Sequence, residues 1–244
     1  MARVAAIMIE LQNITVRYRK KAVVDNLSAS CKSGEFIALI GPNGSGKSSL
    51  LKAIAGLVPF EGTSSLPLRR RDRAKRIAYL AQNSTAPEER FVEDIIALGR
   101  TPFLGPLAKL SAVDKTAIEA AAKACETKQF FGQKFGTLSG GEKMRVHLSR
   151  TLSGQCPIVL ADEPTAALDP YYQLSILDIL KQATHAGSTA IVALHDLKLA
   201  ERYADQIWVM HRGKLVAKGA AKTALSDAIL RDVFRITRSG NLIE

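Results

Sequence analysis

Residues 41–49 read Gly41-Pro42-Asn43-Gly44-Ser45-Gly46-Lys47-Ser48-Ser49 and lie between a short apolar run and a helical pattern. Glycines at this spacing let the backbone curl so that successive N–H groups point at phosphate oxygens, and the N-terminus of the next helix adds positive potential. In loops of this pattern the lysine reaches the terminal phosphates of a nucleotide and the following hydroxyl holds Mg²⁺. The sequence therefore predicts a nucleotide site on this phosphate loop (residues 41–49), with Lys47 on the phosphates and Ser48 on the metal ion.

Short apolar runs recur along the chain and alternate with helical patterns. The runs Phe36–Ile40, Ile77–Leu80, 158–161 and 189–194 are typical of strands buried on both faces of a parallel sheet. A helical pattern over Lys47–Ala55 follows the first of them, with Gly56 as its stop. Alternation of this kind predicts an α/β fold around a mostly parallel sheet. Later in the chain, apolar runs at 207–210 and 214–217 flank a turn and predict a hairpin.

The middle of the chain interrupts this alternation, because its pattern is helical almost throughout. Ser111 begins a near capping box, and Val113, Ala117 and Ala121 follow at helical spacing. We interpret this part of the chain as an inserted helical subdomain. The predicted organisation is one domain over residues 1–244, with a core made of 1–82 and 155–244 and the subdomain at 83–154.

The composition is that of a globular protein: 47% of the 244 residues are hydrophobic and 23% are charged. No apolar run approaches the length of about 18 residues that indicates a membrane-spanning helix. Residues 1–9 lack the longer apolar region and the small-residue cleavage site of a secretory signal. The 3 cysteines lie far apart, so reduced thiols in a cytosolic protein are the simplest interpretation.

The chain has a net charge of +11, and its densest basic run lies between Arg69 and Arg76. A solvated helix face is the first interpretation of this run, and a position near anionic lipid headgroups is the second. Nucleic acid comes third, because no aromatic residues interleave the run as stacking platforms would. No nucleic-acid partner is therefore expected.

Acidic residues and a histidine follow two further predicted strands. Asp162 and Glu163 come directly after the run 158–161, and His195 follows the run 189–194. Each has an ordinary alternative, a strand-to-loop acidic pair or a histidine beside a helix cap. In an open parallel sheet, however, ligands bind at the carboxyl ends of the strands, where Lys47 also lies. We therefore predict that Asp162 orients the Mg²⁺ and that Glu163 polarises the attacking water.

A second glycine-containing segment, Leu138-Ser139-Gly140-Gly141-Glu142, opens another predicted helix. Ser139 and Glu142 form a capping box, but this does not explain the paired glycines, which cost helix stability in a first turn. Bare N–H groups at a helix N-terminus are a second phosphate receptor. Since the phosphate loop already cradles one nucleotide, this signature segment (residues 138–142) is most useful if it closes over the nucleotide of another subunit.

With these motifs in this order, the sequence resembles the ABC ATPase family over essentially its whole length. The resemblance implies a P-loop NTPase core, in which an antiparallel β subdomain accompanies the mostly parallel sheet, with an inserted helical subdomain. It implies that Tyr18 stacks on adenine, that Gln82 senses Mg²⁺ and the membrane partner, and that His195 contacts the γ-phosphate. It also implies contacts across a dimer, to ATP from Ser139, Gly140 and Gly141 of the signature segment and between the two sites from Asp169.

The resemblance further implies an ATPase with ATP and Mg²⁺ as its ligands and a homodimer in the ATP-bound state. Such a subunit is peripheral, on the cytoplasmic face of the cell membrane, beneath integral membrane permease subunits through which a substrate-binding protein acts indirectly. Two alternatives remain: a soluble ABC ATPase acting on DNA, the ribosome or iron–sulfur assembly, and a nucleotide-binding regulator without turnover. The single ATPase unit without a coiled-coil arm speaks against the former, and the presence of Glu163 and His195 against the latter.

The expected cargo rests on a narrower resemblance. The stretch at 98–105, Leu-Gly-Arg-Thr-Pro-Phe-Leu-Gly, is similar to a segment in ABC importers of iron–siderophores, haem and cobalamin. Glu142 after the signature glycines is also frequent in that group, and residues 219–234 are similar to its C-terminal helix. The ordinary alternatives are a Gly/Pro turn, a helix cap and an amphipathic tail. The resemblance implies import of an iron chelate, haem or cobalamin, with another small nutrient or metal as the alternative.

Overall fold

The computed structural model of the protein describes residues 7–237. Most of the segment 1–9, which was predicted not to be a secretory signal, lies outside the described residues. The strands are β1 (Ile7–Tyr18), β2 (Lys21–Lys32), β3 (Phe36–Ile40), β4 (Glu61–Ser64), β5 (Ile77–Leu80), β6 (Ile158–Asp162), β7 (Thr189–Ala193), β8 (Gln206–His211) and β9 (Lys214–Gly219). The helices are α1 (Lys47–Ala55), α2 (Arg70–Ala74), α3 (Val92–Ala97), α4 (Ala112–Ala124), α5 (Gly140–Ser153), α6 (Pro170–His185), α7 (Leu197–Tyr203), α8 (Ala221–Ala224) and α9 (Asp227–Ile229). A 3-10 turn (Leu98–Phe103) follows α3, and a π-helical turn (Leu230–Phe234) follows α9.

Within residues 7–237 the strands form two sheets. The larger has the order β5-β6-β7-β3-β8-β9, in which β9 is antiparallel to β8 and the other neighbours are parallel. The smaller is antiparallel, with the order β2-β1-β4. Every residue of β3, β6 and β7 is buried, as expected for parallel strands covered on both faces.

The two faces of β3 belong to different parts of the core. Phe36 and Ile40 pack in one cluster with residues of α6, such as Leu177. Ile37 and Leu39 pack in another cluster with α1 and the antiparallel sheet. The alternation of side chains along a strand thus places α6 on one face of the large sheet and α1 with the small sheet on the other.

Helices α3, α4 and α5 lie between β5 and β6 in the chain and share an apolar cluster of their own. Ser111 caps α4 through the predicted capping box, and Ala117 and Ala121 are buried. Val113, which shares their helical spacing, is instead 68% exposed, and Asp114 next to it is buried. Asp114 is buried as the ion-pair partner of Arg100.

Gly99 and Arg100, in the segment 98–105, contact the neighbouring helices α4 and α5. A Cβ atom on Gly99 would lie 2.0 Å from the carbonyl oxygen of Arg150, so only glycine permits this approach to α5. Arg100 is buried, its Nε lies 2.8 Å from Asp114 Oδ1, and its Nη1 donates to the carbonyl of Ser153 at 3.2 Å. The hydroxyl of Ser111, followed by Arg100, lowers the pKa of Asp114 to about 2.

The basic run differs from the simple solvated face predicted for it. Arg69, Arg70, Arg71, Lys75 and Arg76 are exposed, but Arg73 is only 4% exposed. Its Nε donates to the carbonyl of Pro67 at 2.7 Å, and its guanidinium lies 5.9 Å from the centre of the Phe60 ring. A long arginine stem can lie along apolar surface while its head satisfies backbone carbonyls, and sequence periodicity over a helix of 5 residues does not reveal this.

None of the helices described within residues 7–237 is both long enough and apolar enough to cross a lipid bilayer.

Candidate active site

The carboxyl ends of β3, β5, β6 and β7 border a cavity of about 440 Å³. Parallel strands present their ends at one edge of a sheet, so residues far apart in the chain meet there. The cavity is lined by Val23, Asn43, Gly44, Ser45, Gly46, Lys47, Ser48, Ser49, Gln82, Glu163 and His195. Most of the predicted phosphate loop and three of the predicted catalytic side chains beyond it therefore share one site.

Glycine is required at both ends of the curled part of the phosphate loop. Gly41 has a φ of 152°, and a Cβ atom there would lie 2.1 Å from the carbonyl oxygen of Met210. Gly46 has a φ of 106°, and its Cβ would lie 2.5 Å from the carbonyl oxygen of Val23. The N–H of Ser45 donates to the Pro42 carbonyl at 3.1 Å and closes the turn between them. The carbonyl groups of Met210 in β8 and Val23 in β2 thus leave room only for glycine at these two positions of the loop.

The start of α1 is suited to an anion. Gly46 is its N-cap and offers no side chain to the first amides of the helix. The N–H groups of a first helical turn have no partner within the helix, and together with the helix dipole they favour a negatively charged ligand. The first turn also carries no acidic side chain that would compete for these amides.

Lys47 lies folded back over the loop that carries it. Its Nζ donates to the carbonyl of Gly41 at 2.8 Å and lies 3.9 Å from Glu163 Oε1. Burial lowers the pKa of this ammonium group, and the carboxylates of Glu163 and Asp162 act in the opposite direction. The charge is therefore held inside the cavity by the Gly41 carbonyl and the Glu163 carboxylate, which phosphate oxygens could replace.

The side-chain oxygen atoms of Ser48 and Asp162 lie close together. The hydroxyl of Ser48 donates to Asp162 Oδ1 at 2.9 Å, and the Tyr79 hydroxyl donates to Asp162 Oδ2 at 3.1 Å. Burial, followed by Asp162, raises the pKa of Tyr79, which keeps this hydroxyl a donor. Sequence reasoning missed Tyr79, because nothing distinguishes it from any other aromatic residue in a strand.

Glu163 is held in place by its backbone and by two neighbouring side chains. It is buried, and its backbone has a φ of 53°, a left-handed conformation that costs a non-glycine residue of order 1 kcal/mol. The side-chain amide of Gln82 donates to Glu163 Oε2 at 2.6 Å, and His195 Nε2 lies 2.6 Å from Glu163 Oε1. Three sequence segments thus fix one carboxylate at the wall of the cavity.

The remaining predicted residues do not line this cavity within the described part of the chain. Tyr18 is 47% exposed at the end of β1, where it pairs with Lys21 of β2; Val23, further along β2, does line the cavity. Asp169 is the exposed N-cap of α6, where its Oδ1 accepts the N–H of Tyr172 at 3.1 Å.

The signature segment forms the capped start of α5, as its sequence predicts. Ser139 Oγ accepts the N–H of Glu142, whose carboxylate accepts the N–H of Ser139 at 2.8 Å. Ser139 and Gly140 are exposed, and a Cβ on Gly140 would meet nothing within 4 Å. This leaves an open stretch of helix N-terminus on the surface, apart from the cavity of the same chain.

Known proteins of one family are similar to this chain over most of its length. Residues 24–166 match the family model described as ABC transporter. The hemin import ATP-binding protein HmuV of Streptomyces coelicolor is 35% identical over 88% of this chain and 78% of its own. The ferric enterobactin transport ATP-binding protein FepC of Escherichia coli is 33% identical over 91% of this chain and 85% of its own.

A solved structure of a dimeric ATP-binding cassette in a post-hydrolysis state, bound to ADP and phosphate, superposes with a TM-score of 0.77. The match covers 88% of this chain and 99% of the other, at 26% sequence identity. The α/β class predicted from the sequence, a P-loop NTPase core with a helical subdomain, is confirmed. The chain therefore belongs to the ABC transporter family and has the fold of its ATP-binding cassette.

Proposed function

We propose that this protein is the ATP-hydrolysing subunit of an ABC importer and that its cargo is an iron chelate or haem. The observation that carries the enzymatic part is the position of Glu163, a buried carboxylate held between Gln82 and His195 at the wall of the cavity that the phosphate loop encloses. A regulator without turnover would not need a general base in this place.

ATP would bind with its phosphates on the amides of the phosphate loop and at the start of α1. Lys47 would exchange its carbonyl partners for phosphate oxygens, and this exchange recovers hydrogen bonds to a charged group inside a partly desolvated site. The exposed ring of Tyr18, near the rim formed by β2, is available to stack on adenine.

The residues present suit Mg²⁺, which prefers hard oxygen ligands. Ser48 and Asp162 supply a hydroxyl and a carboxylate oxygen 2.9 Å apart, and the side-chain oxygen of Gln82 is a third candidate. When bound, the ion would neutralise charge on the phosphate oxygens. Tyr79 holds the second Asp162 oxygen and so orients the carboxylate.

Glu163 would accept the proton of the attacking water, and His195 would contact the γ-phosphate beside it. The distance of 2.6 Å between His195 Nε2 and Glu163 Oε1 supports a joint action of these two side chains on one water and one phosphate. Gln82 would orient Glu163 and, being exposed, would report the state of the site to a partner.

The second half of each site would come from another copy of the chain. The signature segment is an open helix N-terminus that does not line the cavity of its own chain, so it suits a phosphate held by a second subunit. Asp169 would link the two sites. A related cassette that forms a dimer with ADP and phosphate supports a homodimer around two nucleotides.

The membrane-facing partners would be permease subunits, beneath which the dimer lies on the cytoplasmic face of the cell membrane. A substrate-binding protein would act on it only through the permease. Relatives named for hemin import and for ferric enterobactin transport, with about a third of their residues identical, support an iron chelate or haem as the cargo. Cobalamin, which the sequence resemblance also suggested, is the next alternative.

Loss of the gene is expected to abolish growth on a ferric siderophore or on haem as sole iron source. A deletion strain would be complemented with the wild-type gene or with Glu163→Gln, and initial uptake of labelled ferric siderophore, haem and cobalamin would be measured. The wild-type gene should restore uptake of one of the iron compounds and Glu163→Gln should not. If uptake of all three stays normal while another nutrient fails, the cargo assignment is wrong and the ATPase assignment survives.

A further inference from the structure

The signature segment rests on the aromatic ring of Tyr172, at the start of α6. A Cβ atom on Gly141 would lie 2.7 Å from carbon atoms of that ring, so only glycine allows the ring to lie this close to the α5 backbone. Gly140, in contrast, faces open space. The two signature glycines therefore differ. Gly140 leaves the backbone accessible, whereas Gly141 makes room for a side chain of α6.

Arg145, one turn further along α5, strengthens the same contact. Its guanidinium lies 5.0 Å from the centre of the Tyr172 ring, and its Nη2 donates to Ser175 Oγ at 3.2 Å. On the other side, its Nη1 donates to Glu126 Oε2 at 2.7 Å, just beyond α4. Arg145 is 5% exposed, and its buried guanidinium thus connects α5 with α6 and with the residue just beyond α4.

Tyr172 is also bound to the segment that carries Asp169. Its backbone N–H donates to Asp169 Oδ1 at 3.1 Å, while its ring lies against Gly141 and Arg145. A single half-buried residue is therefore attached to Asp169 through its backbone and to the signature segment through its ring. Tyr172 thus contacts both of these surface segments.

We propose that Tyr172, held by Arg145, is a positioning residue that fixes the signature segment and Asp169 relative to each other. The two segments then meet the second subunit as one preformed surface, and neither has to be ordered separately when the dimer closes. This proposal rests on the dimer of the proposed function, since it specifies how one chain presents its half of that interface.

Hydrogen exchange of the isolated chain tests the contact itself. Tyr172→Ala should speed exchange of the amides of Lys143 and Gln173 by about tenfold, because an aromatic contact plus a cation–π contact shifts a local opening equilibrium by about that factor. Tyr172→Phe, which keeps the ring, should restore the rates, and Arg145→Gln should produce a smaller change at the same amides. The amide of Leu50, bonded to the Gly46 carbonyl, should not change in any variant. Unchanged exchange at Lys143 and Gln173 in Tyr172→Ala would overturn the proposal.

ATP-driven association tests the consequence. In a Glu163→Gln background, Tyr172→Ala should weaken dimerisation about tenfold while ATP affinity of the isolated chain stays the same, and Tyr172→Phe should match the parent. If the parent dimerises and Tyr172→Ala dimerises equally well, the positioning role is overturned even if exchange has changed. If the parent itself fails to dimerise, the proposed dimer is wrong, and with it the role assigned to Tyr172 in presenting the interface.

Discussion

Replacing Glu163 with glutamine is expected to lower the rate of ATP hydrolysis by roughly 10²–10⁴-fold, the usual contribution of a general base, and to leave ATP binding intact. The amide has nearly the same shape as the carboxylate and can still accept the hydrogen bond from Gln82, which spans 2.6 Å in the wild type. The amide, unlike the carboxylate, is unable to take up a proton from water. The chemical step should therefore be lost, whereas the cavity and its phosphate loop stay as they are.

ATPase rate and equilibrium nucleotide binding should be measured on the same preparations. Glu119→Gln is the matched control, because Glu119 is an exposed residue of α4 and does not line the cavity. The control should hydrolyse ATP at the wild-type rate. Normal turnover in Glu163→Gln would show that another group is the base, and the assignment of Glu163 would have to be withdrawn.

Replacing Lys47 with alanine is expected to act on binding, lowering ATP affinity by about 10–100-fold, because a hydrogen bond to a charged group contributes on the order of 1.5–3 kcal/mol. The Lys47 ammonium is the cation of α1 that reaches into the cavity, where it is buried beside the start of the phosphate loop. Without it, the phosphates would depend on backbone amides and the helix dipole alone.

Titration with ATP, followed by calorimetry or by a fluorescent nucleotide, measures this change. Lys52→Ala is the control, since Lys52 belongs to the same helix but not to the lining of the cavity. An affinity for ATP that is equal in Lys47→Ala and Lys52→Ala would contradict the placement of the phosphates on this loop.

Local features of the chain could be predicted from sequence because their determinants lie close together. The apolar run Phe36–Ile40 became a strand with the predicted bounds, and α1 begins at Lys47 and ends before Gly56. The capping boxes at Ser111 and Ser139 are both present, since each needs only residues within one helical turn. The meeting of several strand ends at one cavity followed from a general property of parallel sheets.

Contacts between distant segments could not be predicted in the same way. The burial of Arg73, the exposure of Val113 and the hydrogen bond from Tyr79 to Asp162 each depend on which element packs opposite. The contact of the Tyr172 ring with Gly141 joins two helices, and neither helix sequence indicates that contact. For Gly141, sequence reasoning noted an unexplained glycine, and the structure supplies a packing reason.

In the proposed dimer, two copies of the chain close over two nucleotides, and each phosphate loop faces the partner's signature segment. Sedimentation of Glu163→Gln over a range of protein concentrations, with and without ATP and Mg²⁺, tests it most directly. We expect monomers without nucleotide and dimers with two bound nucleotides when ATP is present. When Ser139→Arg is added we expect monomers again, because a bulky side chain would then occupy the interface. A Glu163→Gln, Ser139→Arg protein that dimerises with ATP as tightly as its parent would contradict this arrangement of the dimer.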